Sequence, residues 1–186
     1  MLHLPPFPTW DSLHPLIIHF PIVLLLLSPL LLLISVAVSP SKARPYMLVA
    51  LLVLLLGTAS LFVAVSTGEA AGELAERGGA INGVLESHEE LASETRIIFS
   101  ILSTILLGIV ALPIALRRKD SRLFSTLLPV TFLALYSVGA VFLVNTAHQG
   151  GRLVHEFGVH AMLPVSGIDS DTSTHAATEA TKGDKD

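Results

Sequence analysis

Four stretches of the chain, residues 16–38, 46–65, 97–116 and 123–144, contain no Asp, Glu, Lys or Arg. A helix needs roughly 20 residues to cross a hydrocarbon core of about 30 Å, and each stretch is long enough. Inside a bilayer the backbone must satisfy its own polar groups, which continuous apolar runs do by forming helices. The expected fold class is therefore all-α, an integral membrane four-helix bundle. Hydrophobic residues make up 52% of the chain and charged residues only 14%, which argues against a water-soluble core of this size. Four spans in 186 residues leave no room for a second folded domain. The expected division is an extended lead over 1–13, a four-span membrane domain over 14–162 and a disordered tail over 163–186, where Ser, Thr, Asp and Gly replace apolar residues.

Charge orients the bundle. The short connections 39–45 and 117–122 carry Lys42, Arg44, Arg117, Arg118, Lys119 and Arg122, six of the eleven basic residues. By the positive-inside rule both lie in the cytoplasm, so both termini and the 66–96 connection lie outside. Fourteen of the fifteen acids fall on that outer side, with Asp120 the exception. Residues 1–12 are proline-rich and contain no basic residue, so the first span is expected to act as its own insertion signal rather than as a cleaved leader. Trp10 stands where an interfacial aromatic anchors a helix. Pro21, Pro29, Pro113 and Pro129 interrupt the backbone bonding of the spans and are expected to kink them.

All eight histidines, at positions 3, 14, 19, 88, 148, 155, 160 and 175, fall on the outer side of this topology. The chain has no cysteine, so iron–sulfur ligation, thiolate metal sites and covalent c-type haem attachment are excluded. Any metal chemistry must rest on imidazole, carboxylate or methionine. In His14-Pro15-Leu16-Ile17-Ile18-His19 the two imidazoles are five residues apart, about 140° around a helix, and do not grip one small ion together. His19 lies deeper and needs a partner, because an unbonded buried polar group costs about 1–3 kcal/mol. His88 follows Ser87, which with Glu90 reads as a capping box starting the third helix. In the segment 145–160, His148, Gly151, Arg152 and His155 form one helical stripe if the helix continues, whereas Gly150 and Gly151 can equally end it. His155-Glu156 followed by His160 is not a zincin motif, since the second histidine lies at i+5. Gly68 and Gly72, beside Glu69 and Glu73, read as a packing or turn feature.

The segments HPLIIHFPI, STGEAAGE and TAHQGGRLVHEFGVH resemble a bacterial family of predicted membrane proteins called domain of unknown function 2231, over roughly residues 11–162. His14 and His19 match the first of that family's patterns, and Gly150, Gly151, Leu153, Val154 and Gly158 match the second. The resemblance implies a four-span protein of the bacterial inner membrane, in settings that suggest respiratory electron transfer and association with c-type cytochrome domains.

Three function classes compete. The first is a b-type haem protein acting in electron transfer. Its haem b is expected to bind two imidazoles from separate helices, His19 with His148 or His155, while His14 and His88 join the same outer pocket and Arg152, Arg96 or Arg77 pairs with a propionate. A periplasmic c-type cytochrome or a quinone is then the expected partner. The second is binding or transport of a divalent transition metal by His19, His148 and His155 together with outer glutamates. Transport fits poorly, because the inner half of every span lacks an ionisable side chain. The third is a non-catalytic subunit of a membrane complex in which the histidines only make hydrogen bonds. No nucleophile elbow, phosphate loop or nucleic-acid-binding basic patch is present, and an enzyme assignment is left open. His3, His160 and His175 receive no role.

Overall fold

The computed structural model describes residues 8–75, 77–116 and 122–159. They form four helices, α1 (Asp11–Ala37), α2 (Pro40–Glu73), α3 (Gly79–Ala115) and α4 (Leu123–His155), each long and apolar enough to cross a membrane. Their lengths of 27 to 37 residues exceed the roughly 20 that a bilayer requires, so helical turns continue past the apolar runs. The polar ends of α2 and α3 consist of those extra turns.

Two boundaries differ from expectation, and a third decides between two open alternatives. The first helix begins at Asp11, so residues 11–13 are helical rather than part of an extended lead. The third begins at Gly79, eight residues before Ser87, which puts the Ser87-Glu90 pair inside the helix where it caps nothing. Gly79 supplies the start because its φ of +43° suits a residue without a side chain. The fourth helix runs through Gly150 and Gly151 to His155, so these glycines do not end it. The tail 163–186 lies outside the described residues, as do His3, His160 and His175.

Successive helices pack side by side and α4 returns against α1, so the bundle closes on itself; α1 and α3 stand at opposite corners with no close backbone approach. Leu25, Leu32, Leu54, Phe99 and Leu106 are fully buried on the shared axis, and Phe132 and Tyr136 complete the core. In lipid the solvent is as apolar as the core, so close packing and interhelical hydrogen bonds must supply the association. Ser28 donates to the carbonyl of Ala50 at 3.1 Å, joining α1 to α2. Thr58 and Ser103 share a hydrogen bond of 2.8 Å between α2 and α3. The Tyr136 hydroxyl donates to the Leu25 carbonyl at 2.5 Å, joining α4 to α1, while its ring meets Phe99 edge-on. Large apolar residues such as Val23, Leu30, Leu52, Ile101 and Val138 point outward and remain exposed, as lipid-facing side chains do.

Two prolines leave marks on this scaffold. Pro21 has no N–H to offer the Ile17 carbonyl, and the helix is irregular at Ile18, just after His14-Ile17. Pro129 withholds its N–H from Ser125, and α4 opens into a wider π-helical turn over Leu123–Leu127 immediately before it.

A two-histidine cavity at the terminal end of the bundle

The start of α1, the end of α2, the start of α3 and the end of α4 meet at one end of the bundle, where they enclose an open cavity of about 370 Å³. That volume falls in the usual range for small-molecule and cofactor sites. Its wall is mainly apolar, with Ile18, Pro21, Ile22, Leu61, Val65 and Leu143 forming the deeper part. Two imidazoles, His14 and His88, line it from opposite corners of the bundle.

Each of these histidines is held in the same manner. The Nδ1–H of His14 donates to the Ala64 carbonyl at 3.0 Å and also meets Thr67 Oγ1 at 3.2 Å, both on α2. Thr67 turns its own proton to the carbonyls of Val63 and Ala64, so its oxygen is free to accept from the ring. The Nδ1–H of His88 donates to the Thr146 carbonyl on α4 at 3.0 Å. Thr146 is fixed in turn by a bond from its hydroxyl to the Phe142 carbonyl and by a contact of 2.9 Å with Thr95 Oγ1. A carbonyl only accepts, so the proton sits on Nδ1 in both rings and Nε2 of the neutral imidazole carries the lone pair. Neither Nε2 has a hydrogen-bond partner among the described residues.

Glycines make room for the rings. A Cβ added at Gly68 would lie 2.8 Å from His14 Cε1, and one added at Gly150 would lie 3.0 Å from His88 Cε1. Any larger residue there must displace the imidazole. The earlier reading of Gly68 and Gly72 as packing positions agrees with this, since Gly72 faces the carboxylate of Glu89 just as Gly68 faces His14.

The expected site residues separate into two groups. His14, His88 and His155 line the cavity, and His155 is exposed, as are the lining residues Glu69 and Glu89. His19 and His148 are exposed and contribute nothing to the cavity wall. The reason at His19 is rotational, because turning His14 inward carries a residue five positions later about 140° away. Arg152 does not line the cavity either. It pairs with Glu156 at 2.9 Å, bonds Gln149 at 3.0 Å and rests over the Phe157 ring. Arg77 is engaged with the Gly72 carbonyl at the end of α2. Among the described residues, no three His, Asp or Glu side chains converge to hold a bare metal ion, so His19, His148 and His155 are not gathered into a metal centre.

The pairing of His14 with His88 has a counterpart in the sequence that helix-by-helix reading misses. Val65-Ser66-Thr67-Gly68 with Gly72 and Leu74 recurs 79 positions later as Val144-Asn145-Thr146-Ala147 with Gly151 and Leu153. The two hairpins of the bundle, α1–α2 and α3–α4, are thus arranged alike, each offering a histidine from its first helix to the threonine-containing turn of its second. Internal repeats of this kind commonly build a membrane site at their interface.

Comparison with known proteins agrees with the architecture. The family described as "Predicted membrane protein (DUF2231)" matches residues 11–162, which takes in all four helices and every lining residue of the cavity. Neither curated proteins nor solved structures provide a match. The chain belongs to the predicted membrane protein family DUF2231.

Proposed function

We propose that the protein is a b-type haem-binding electron carrier of the bacterial inner membrane, in which His14 and His88 would hold the iron. One observation carries the reading: two imidazoles from diagonally opposed helices border one apolar cavity, each with Nδ1 engaged by a neighbouring carbonyl and Nε2 unpartnered. Locking Nδ1 to a carbonyl fixes the tautomer and ring orientation that a metal ligand needs. Opposed helices suit ligands for the two faces of a planar macrocycle, which neighbouring residues on one helix do not.

The donor set and the lining fit such a group. Gly68 and Gly150 leave room for the rings close to the backbone, and the deeper wall is aliphatic. No arginine lines the cavity, and His155 is the lining residue besides the two ligands that can carry positive charge. When bound, haem iron supplies one-electron chemistry. The chain itself holds the two imidazoles, excludes water from the aliphatic side and leaves Glu69, Glu89 and His155 exposed. We infer from the basic connections 39–45 and 117–122 that this end of the bundle faces the periplasm, where a soluble c-type cytochrome or a quinone head group has access.

A visible spectrum of protein purified from haem-replete cells, before and after dithionite, tests the reading. The expected result is a sharpened α band on reduction, as for a low-spin iron with two nitrogen ligands. A colourless protein that stays colourless after incubation with hemin would rule it out.

A further inference from the structure

A second feature lies on the outer surface of the bundle, away from the cavity. An open groove of about 620 Å³ runs along α3, with Phe62 of α2 as part of its wall. Its floor is Ile97, Ile101 and Ile105, one residue per turn on a single face. Arg96 stands at the head of the groove, immediately before the uncharged run 97–116 begins.

The hydroxyl groups of this groove are already bonded, and the guanidinium has only neutral partners. Ser100 donates to the Arg96 carbonyl at 2.7 Å and Thr104 donates to the Ser100 carbonyl at 2.9 Å, so both hydroxyls are turned back onto their own helix. Arg96 rests over the Phe62 ring at 5.5 Å and touches Ser93 Oγ at 3.4 Å. It forms no ion pair; among the described residues only Arg152 and Glu156 do so. The groove therefore presents one uncompensated positive charge above an aliphatic track.

We propose that this groove is a binding site for one anionic phospholipid, with the phosphate on Arg96 and an acyl chain along Ile97, Ile101 and Ile105. The dimensions agree. From residue 96 to residue 105 a helix rises about 13 Å, close to the roughly 15 Å of one leaflet's hydrocarbon. Arginine's fork matches two phosphate oxygens, and near a membrane surface one such contact favours an anionic lipid about fivefold. A phosphatidylcholine head group is disfavoured, because its own ammonium opposes Arg96 and the Phe62 face is already occupied by the guanidinium.

Native mass spectrometry of the full-length protein in neutral detergent, with phosphatidylglycerol or phosphatidylcholine of identical acyl chains, tests the site. The expected result is a phosphatidylglycerol preference of about fivefold that falls to about one in Arg96→Gln and is kept in Arg96→Lys. Ile101→Trp, which fills the track, should reduce retention of phosphatidylglycerol while helicity by circular dichroism is unchanged. Equal retention of the two lipids by the wild type, an undiminished preference in Arg96→Gln, or displacement of the lipid by a short-chain quinone would each overturn the proposal. None of these outcomes depends on the haem reading, whose residues lie on other faces of the helices.

Discussion

His14 and His88 each depend on a glycine that leaves room for the ring. Replacing Gly68 with Val inserts a Cβ where His14 Cε1 now lies 2.8 Å away, and the ring must move. Overpacking of this kind costs about 1–3 kcal/mol, so haem retention should fall about tenfold or more while the bundle remains helical. Gly150→Val should act on His88 in the same way. Thr67→Val removes the weaker of two acceptors for His14 and leaves the Ala64 carbonyl, so haem titration should show a loss of less than about tenfold. Unchanged haem content in both glycine variants would show that the rings need not stay where they are. The candidate histidines were partly legible in the sequence, since the 140° separation of His14 and His19 set their relative directions, although both were expected in the pocket. Spacing gives that relative angle but not the absolute rotation of the helix, and depth alone pointed to His19. The repeat of Val-x-Thr and Gly-x-Leu at an interval of 79 is the signal that joins α2 to α4 and hence His14 to His88.

At the scale of the helices, the four spans could be read from the sequence because charge is excluded from hydrocarbon and nothing else in the chain is as apolar for as long. Their ends could not. Past the bilayer surface, residues such as Glu73 and Ala80 cost little in either helix or loop, so tertiary contacts decide, and α2 and α3 run beyond their apolar runs. Double glycine at 150–151 is a poor helix interior in isolation, yet α4 continues because the Gly150 position is where the His88 ring packs. Hydrogen bonds between helices should carry measurable stability. Tyr136→Phe removes the α4–α1 bond to Leu25 and leaves the aromatic contacts with Phe99 and Phe132. The expected loss is about 0.6–1.7 kcal/mol, read as earlier unfolding in a denaturing-detergent titration. No change in midpoint would mean that the unfolded chain in detergent satisfies the hydroxyl equally well.

For the molecule as a whole, orientation and cofactor are separate claims. Six basic residues in two short connections predict that a reporter fused after Asp186 is active when it requires the periplasm and silent when it requires the cytoplasm. The opposite pattern would reverse the bundle and put the cavity on the cytoplasmic side without altering its chemistry. The central claim is that two diagonally placed imidazoles clasp one haem, and the most direct measurement is haem bound per chain in four single variants: His14→Ala, His88→Ala, His19→Ala and His148→Ala. The account predicts about one haem per chain in wild type, His19→Ala and His148→Ala. It predicts loss of the low-spin reduced spectrum in His14→Ala and His88→Ala, with all four variants equally helical. A low-spin spectrum that survives in His14→Ala or His88→Ala, or that disappears only in His19→Ala or His148→Ala, would contradict it.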